Sequence, residues 1–516
     1  MLDIVIKNAV VIDGSNNAPE RRDVGIVGDR IEAVDNIPDY KADVIIDATG
    51  LMLSPGFIDT HSHSDFTLLA DPSGAGKVMQ GVTTEINGNC GLSAAPISGD
   101  AEKQREPDLV ELGIKERWSS WDEYIKLLKR KGIGLNFATL VGHGSIRASI
   151  IGLNDREASM DDMQNMKKFL KEGLSAGALG ISTGLIYPLG IYTDTDELIE
   201  LATVVSLHGG IYATHMRSEG EKLTEAVSEA TDIGRNANIP VHISHLKTSG
   251  EKNWGKIDTL FKTIEAARDN GIDITCDRYP YTAASTDLDA VLPSWVYEGG
   301  REAEIERLCN RETRKRIERE LNDRHPEVSR WEKVVIASVI SKENKNLEGK
   351  NIFEISNILK KSPIDTILDL LLEEKLRVSA IYHSMSEENL RRILEKPYTM
   401  IGSDSSARSR DGITARGKPH PRGFGSFVRV LGKYVREESL LTFEGAIHKM
   451  TGMPALRFGL KKRGFIRKGY YADIVVFDIN TIKDRATFDN PFQYPDGIVH
   501  VFVNGKAVVL DGKLTG

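Results

Sequence analysis

The chain has 516 residues, a formal net charge of −8 and only three cysteines. Hydrophobic residues make up 40% and charged residues 28% of it, the proportions of a globular protein with room for more than one domain. The negative charge and the lack of a basic tract argue against a nucleic-acid partner, and no apolar run has the roughly 18–20 residues of a membrane-spanning helix.

The cysteines and the first residues of the chain indicate the cellular compartment. An odd, sparse set of cysteines is typical of a reduced intracellular protein and not of a disulfide framework. The segment Met1–Lys7 lacks the charged region followed by an apolar region that marks a secretory signal. We therefore predict a cytoplasmic protein without a membrane partner.

The two ends of the chain are alike. Residues 2–53 contain short β-rich runs broken by turns, and residues 464–516 repeat this pattern. Asn504 and Gly505 separate two apolar runs, which is a strong hairpin signal. Terminal strands without helices predict one small β-sandwich domain built from residues 1–55 together with 464–516.

Between these ends, β-like runs alternate with helical stretches. The runs are 56–65, 82–90, 137–143, 178–183, 210–215, 240–245, 272–279 and 399–404. Eight such units predict an α/β fold, a (β/α)8 TIM-like barrel over residues 56–463.

One part of the barrel pattern is irregular. About 120 residues separate Tyr279 from Thr399, too many for a single βα unit. We predict a late insertion with surface helices at about residues 286–350, where Glu, Arg and Lys are abundant. The run Arg377–His383 is a ninth candidate strand, which leaves open which run fills the seventh place in the barrel.

Candidate metal ligands stand at the ends of these runs. The segment Phe57–Asp65 is predicted as a short strand that ends in His61-x-His63, and alternate residues of a strand point to the same face. The ends of other runs carry Cys90, His215, His245 and Asp404. Each residue alone has an ordinary interpretation, as a core cysteine or a polar strand end. Barrel enzymes, however, place their chemistry at the carboxyl ends of the strands, and this residue set suits Zn²⁺.

These motifs give the chain a specific resemblance. It resembles the amidohydrolase superfamily and, within it, the N-acyl-D-amino-acid deacylases (D-aminoacylases). The motifs that carry the resemblance are Pro55–Asp65, Gly81–Thr84, Gly88–Gly91, Ser182–Pro188, Thr214–Arg217, Ser244–Lys247 and Tyr279–Thr282. The Gly-Asn-Cys-Gly motif at Gly88–Gly91 marks the subfamily, because other binuclear members bridge their metals with a carboxylated lysine on the fourth strand. The fourth run here, Ile181–Gly184, offers no lysine.

The resemblance implies two sets of metal ligands. A tight zinc site would be formed by Cys90, His215 and His245, and a second, weaker site by His61, His63 and Asp404. Beside the metal, Asp404 would take a proton from water and give it to the leaving amine. The alternative is that Asp404 is only a ligand.

The resemblance also implies a substrate. An N-acyl amino acid carries a free carboxylate, for which the resemblance assigns donors at Lys247, Tyr187, Ser285 and Thr286. The predicted function is zinc-dependent hydrolysis of the amide bond of N-acyl-D-amino acids. Two alternatives stay open: an amidohydrolase acting on cyclic amides, hydantoinase-like or dihydroorotase-like, and a non-catalytic scaffold on the same fold. The preferred side chain, the number of metals and the oligomeric state are not predicted.

Overall fold

The computed structural model describes residues 1–38, 42–324 and 327–515. Residues 39–41, 325–326 and 516, which belong to the predicted ranges 1–55, 286–350 and 464–516, lie outside this description. The strands are β1 (Leu2–Val11), β2 (Glu20–Val27), β3 (Arg30–Asp35), β4 (Ala42–Asp47), β5 (Met52–Pro55), β6 (Phe57–Asp59), β7 (Val82–Asn87), β8 (Asn136–Thr139), β9 (Val141–Gly142), β10 (Gly180–Gly184), β11 (Ile211–His215), β12 (Val241–Ile243), β13 (Ile274–Arg278), β14 (Ala283–Asp287), β15 (Val334–Ser338), β16 (Ser379–His383), β17 (Thr399–Ile401), β18 (Ile474–Phe477), β19 (Ile498–Val503), β20 (Lys506–Leu510) and β21 (Lys513–Leu514).

The helices lie mostly between these strands. They are α1 (Thr67–Ala70), α2 (Ala75–Val78), α3 (Asp100–Glu111), α4 (Trp121–Lys131), α5 (His143–Ile150), α6 (Met160–Ser175), α7 (Thr195–Leu207), α8 (Leu223–Asn236), α9 (Ile257–Asp269), α10 (Gly300–Cys309), α11 (Arg311–Arg324), α12 (Ile352–Leu359), α13 (Pro363–Glu373), α14 (Glu387–Glu395), α15 (Arg422–Arg429), α16 (Phe443–Met450) and α17 (Gly452–Arg457). None of the helices in the described ranges combines the length and the apolar character that a membrane crossing requires.

Both ends of the chain contribute to one sheet. β1 pairs antiparallel with β2 and parallel with β4 and β5, and β5 pairs antiparallel with β18. Antiparallel pairs then lead through β19 and β20 to β21. Buried side chains from both ends, such as Ile26, Leu53 and Phe502, share one apolar cluster. Because β5 pairs with strands from both ends, the nine strands form one branched sheet, and the pairing does not divide them into the two layers of the predicted sandwich.

The predicted hairpin near the C-terminus is confirmed. Asn504 and Gly505 connect β19 to β20 with φ angles of 49° and 77°, and a two-residue turn with both φ angles positive is favoured by Asn-Gly. A Cβ atom on Gly505 would lie 2.0 Å from the carbonyl oxygen of Gly28, so the close approach of the backbone also requires glycine.

The central part has eight parallel strand positions that alternate with helices. β6, β7 and β8 form one parallel sheet, and β9 to β13 with β17 form a second. β8 and β9 belong to the same extended segment, interrupted at Leu140. Among the described residues, β6 and β17 form no strand ladder. The segments that follow them meet through a bridge between Ser62 and Ser405 and through backbone hydrogen bonds from Asp404 to His61, at 2.8 Å, and from His63 to Ser405, at 3.3 Å. We call this junction the seam; there the ladder is not the continuous closed ring of the predicted barrel.

The helices of this part present apolar faces to the strands. In α6, Met163, Met166 and Leu170 are buried, and their spacing of three and four residues places them on one face. The helix begins at a capping box, in which Ser159 and Asp162 bind each other's backbone N–H groups. This packing holds the parallel strands in place around their carboxyl ends.

The late insertion has its own sheet and core. β14, β16 and β15 form an antiparallel sheet, and a separate apolar cluster extends from Leu288 to Ala380. The ninth candidate strand is β16 of this sheet. β13 fills the seventh place among the parallel strands, since it pairs with both β12 and β17. The cluster and its sheet therefore continue beyond residue 350.

Candidate metal centre

The six predicted ligands meet at the carboxyl ends of the parallel strands. His61 and His63 follow β6, Cys90 follows β7, His215 ends β11, and His245 and Asp404 follow β12 and β17. Three of these residues, Cys90, His245 and Asp404, have positive φ angles of 53°, 37° and 52°. Such angles strain residues other than glycine and cluster at functional sites. The backbone therefore turns sharply at the points where these side chains enter the site.

The thiol of Cys90 lies at the centre of the cluster. Its Sγ atom is 3.3 Å from His61 Nε2, 3.6 Å from His245 Nε2 and 3.7 Å from His215 Nδ1. Ligands bound at 2.0–2.3 Å to a tetrahedral zinc are separated by about 3.3–3.8 Å. The spacing and the chemistry of this donor set therefore fit zinc.

Asp404 joins the cluster from the other side of the seam. Its Oδ1 atom is 3.5 Å from His61 Nε2 and 3.1 Å from His63 Nε2. One oxygen, nitrogen or sulfur atom each from His61, Cys90, His245 and Asp404 lie within 4.8 Å of one another. The two predicted ligand sets thus adjoin each other, with Cys90 close to members of both.

The cluster favours the anionic forms of its two acidic groups. Burial opposes ionisation of Cys90, but His61 and the other imidazoles hold the pKa of its thiol well below the ordinary value. Burial likewise opposes ionisation of Asp404, but Arg422 and the neighbouring histidines keep its pKa well below the usual range. Thiolate and carboxylate are the forms that bind metal ions.

Glu219 is a member of the site that the sequence did not identify. Its Oε1 atom lies 2.9 Å from His245 Nδ1 and 3.7 Å from His215 Nε2, on the far side of both rings from Cys90. It also contacts the ammonium of Lys247. A carboxylate behind a ligating histidine fixes the ring orientation and tautomer. In the sequence, the sign of this role was its position four residues after His215.

Asp277, on β13, supports the cluster from inside the strands. Its Oδ2 atom lies 3.2 Å from His61 Nδ1 and 2.8 Å from His242 Nε2, and its Oδ1 atom accepts the N–H of His245 at 2.8 Å. One carboxylate therefore orients two of the predicted ligands. The sequence showed only an acidic residue near a strand end, which is a common feature.

The four predicted substrate donors lie in different surroundings. Tyr187 packs its ring edge against His215, with centroids 5.0 Å apart, and its hydroxyl is 3.4 Å from Thr286 Oγ1. Ser285 and Thr286 lie on β14 and are partly buried. Lys247 is 3% exposed, and its ammonium contacts Glu219 and, at 2.8 Å, His245 Nδ1.

Arg422, at the start of α15, is a cation of the site in addition to Lys247, and the sequence did not identify it. Its Nη1 atom lies 2.8 Å from Asp404 Oδ2, and its Nη2 atom donates to the carbonyl of Ser285 at 3.2 Å. The guanidinium also stacks on Tyr279, 4.7 Å from the ring centroid. Arg422 therefore connects Asp404 with the strand that carries two of the predicted donors.

The sequence also matches a known protein family and curated proteins. The sequence model of the amidohydrolase family matches residues 44–201 and 349–509. D-aminoacylase of Alcaligenes xylosoxydans xylosoxydans is 37% identical over 516 residues, which cover 100% of this chain and 96% of that protein. N-acyl-D-glutamate deacylase of the same organism is 36% identical over 98% of this chain and 93% of its own length.

A solved structure of a related deacylase has the same fold. The crystal structure of N-acyl-D-glutamate deacylase from Bordetella bronchiseptica, complexed with zinc and a phosphonate inhibitor that mimics the tetrahedral intermediate, has a TM-score of 0.84. It is 32% identical and covers 99% of this chain and 98% of that one. The chain therefore belongs to the amidohydrolase family and, within it, to the N-acyl-D-amino-acid deacylases.

Proposed function

We propose that this chain is a zinc-dependent hydrolase that cleaves the amide bond of N-acyl-D-amino acids. Addition of water across the C–N bond gives a carboxylate and a free D-amino acid. The observation that carries the proposal is the convergence of one thiol, several imidazoles and Asp404 at the carboxyl ends of the parallel strands. The likeness to D-aminoacylase over the whole chain supports the substrate class.

The metal ligands are proposed as two sets. Cys90, His215 and His245 would hold zinc tightly, since a thiolate and two imidazoles are a typical zinc donor set, and His61, His63 and Asp404 would form a second, weaker site. Bound zinc supplies a Lewis acid that polarises the acyl carbonyl and lowers the pKa of a bound water from 15.7 towards about 7. The buried surroundings of Cys90 and His245 strengthen such electrostatic effects by keeping bulk water out.

Asp404 is proposed as the general base and then the general acid. Arg422 and the neighbouring histidines favour its ionised form, and an ionised carboxylate held beside the metal would accept a proton from the attacking water. The same proton then passes from Asp404 to the leaving nitrogen, which departs as an amine. His63, 3.1 Å from Oδ1, and Arg422, 2.8 Å from Oδ2, hold the carboxylate in one orientation.

The free carboxylate of the substrate needs donors beside the metal. Tyr187, Ser285 and Thr286 are proposed as neutral donors; burial raises the pKa of the Tyr187 phenol well above its ordinary value, so its hydroxyl proton is retained. Lys247 and Arg422 are the proposed cationic donors; both lie over the ring of Tyr279, at 5.9 Å and 4.7 Å from its centroid. Arg422 donates to the carbonyl of Ser285, which supports a position for its guanidinium beside these proposed donors.

The finer architecture is also a proposal. The parallel strands would close into a complete barrel across the seam, and the terminal sheet would fold into a sandwich. The proposed small domain combines residues 1–55 with 464–516, and the proposed barrel spans 56–463. Its insertion, predicted at about 286–350, continues past residue 350 to β16. The cytoplasmic location likewise stays a prediction.

A substrate screen tests the proposed function. Zinc-loaded protein should hydrolyse N-acetyl-D-amino acids and show little activity on their L-enantiomers, on hydantoins or on dihydroorotate. Asp404→Asn should abolish turnover, whereas Asp411→Asn, at an exposed position seven residues further along, should not. Hydrolysis of the cyclic amides alone would reassign the enzyme to the alternative class, and inactivity on every amide would favour the scaffold.

A further inference from the structure

Lys77, in α2, is a fully buried ammonium outside the ligand cluster. Its Nζ atom lies 2.7 Å from Asp59 Oδ2 and 2.6 Å from Glu85 Oε1, and all three side chains have zero exposure. A buried charge is costly unless it is paired and hydrogen-bonded. Lys77 meets this condition through carboxylates on the first two parallel strands, β6 and β7.

The same ammonium reaches across the seam to the end of β17. It donates to Ser403 Oγ at 3.0 Å and to the carbonyl of Ser405 at 2.9 Å. These two residues stand on either side of Asp404. Lys77 therefore binds a side-chain hydroxyl on one side of the proposed acid–base residue and a backbone carbonyl on the other.

On the other side of the seam, Lys77 contacts the histidine pair. Its Nζ atom donates to Ser62 Oγ at 3.1 Å, and Ser62 separates His61 from His63. Glu85 Oε1 accepts the hydroxyl of Ser62 at 2.9 Å, so the serine is held from two directions. One ammonium thus contacts the neighbours of all three proposed ligands of the weaker site.

Asp59 completes the connection. Its Oδ2 atom binds Lys77 and accepts the hydroxyl of Ser403 at 2.6 Å. Its Oδ1 atom accepts the backbone N–H of Ser403 at 2.8 Å and that of His61 at 3.2 Å. The strand ladder is interrupted here, and these contacts join the two sides of the seam.

We propose that Lys77 is a positioning residue of the metal centre, which holds His61 and His63 on one side of the seam and Asp404 on the other at the spacing that a metal ion requires. The distances of 3.1 Å and 3.5 Å from Asp404 to the two histidines are measured across this junction. This inference rests on the proposed function, because it requires these three residues to be ligands.

Zinc titration of Lys77→Met tests the proposal. The substitution removes the ammonium and keeps most of the apolar stem. Lys449→Met is the matched control: Lys449 is also buried and donates to the carbonyls of Lys396 and Thr399, at the opposite end of β17 from Asp404. Binding is measured by competition with a chromophoric chelator, and Asp404→Asn identifies the binding step that involves Asp404.

The expected result is selective. Lys77→Met should weaken that step about 10- to 100-fold, as loss of a supporting contact does, and should lower kcat with little change in KM. Lys449→Met should leave zinc binding as in the wild type. Equal zinc affinity in Lys77→Met and wild type would overturn the positioning role, even if the variant melts at a lower temperature.

Two further outcomes are distinguishable. A wild-type protein that binds no zinc would contradict the proposed function itself. If Lys77→Met gives no folded protein, Ser403→Ala decides, since it removes a single partner of Lys77 and Asp59. A several-fold weaker Asp404 step in that variant, with normal melting, supports the proposal, and an unchanged step overturns it.

Discussion

Replacing Glu219 by glutamine should loosen zinc binding without changing the shape of the site. The carboxylate lies 2.9 Å from His245 Nδ1 and contacts the ammonium of Lys247, which is 3% exposed. Glu219→Gln keeps the volume and one acceptor oxygen but removes the negative charge. The variant therefore leaves a buried ammonium beside a proposed zinc ligand.

The size of the effect follows from these contacts. A hydrogen bond to a charged group contributes about 1.5–3 kcal/mol, which corresponds to about 10- to 150-fold in an equilibrium constant. Loss of a partner behind a ligating histidine typically weakens metal affinity by 10- to 100-fold. We therefore expect zinc to bind Glu219→Gln one to two orders of magnitude more weakly than wild type.

Competition with a chromophoric zinc chelator measures this change directly. Glu221→Gln, an exposed glutamate two residues further along, is the control and should bind zinc as the wild type does. Equal zinc affinity in Glu219→Gln and Glu221→Gln would refute the role of Glu219 as the carboxylate that orients His245.

The other predictions concern the thiol, the acid–base residue and a buried lysine. Cys90→Ala should lose the tightly held zinc and the activity together, as elemental analysis and an amidase assay will show; a variant that keeps both would make Cys90 an ordinary core residue. Asp404→Asn should fold, retain the tight zinc and lose roughly two or more orders of magnitude in kcat, whereas a loss of metal affinity alone would make Asp404 only a ligand. Burial lowers the pKa of Lys449 to about 8 from 10.5, so between these pH values the unfolded chain binds more protons and stability should rise with pH. The Lys449→Met variant should lack this rise, which is of order 3 kcal/mol. Denaturation curves of wild type and variant at about pH 7 and pH 10.5 measure the change in stability of each protein. An equal change in both proteins would contradict the prediction.

The sequence contained most of the information about the ligands and the parallel strands. The sequence predicted that alternation along a strand puts His61 and His63 on one face, but both residues follow β6 and lie outside it. They still meet at Asp404, because the carboxyl ends of parallel strands adjoin each other in any such sheet. Histidine, cysteine and aspartate residues at several strand ends therefore predicted a cluster of metal ligands. The Asn504–Gly505 hairpin was equally local, because its turn depends on two residues.

The missed features depend on segments that are distant in sequence. Glu219 lies in a loop and Asp277 on β13, and both contact His245 only because the strands come together. In the sequence, Lys77 has the pattern of an ordinary helical lysine. In the structure, Asp59 and Ser403 contact its ammonium from the two sides of the seam. Likewise, the pattern of β16 does not show whether it pairs with parallel strands or with β14 and β15.

Returning zinc to metal-free protein is the most direct test of the account. Protein stripped with a chelator should hydrolyse an N-acetyl-D-amino acid at a negligible rate. Activity should then rise with added zinc and approach its maximum near one equivalent, because Cys90, His215 and His245 form the proposed tight site. Full activity in protein that elemental analysis shows to be free of transition metals would contradict the account.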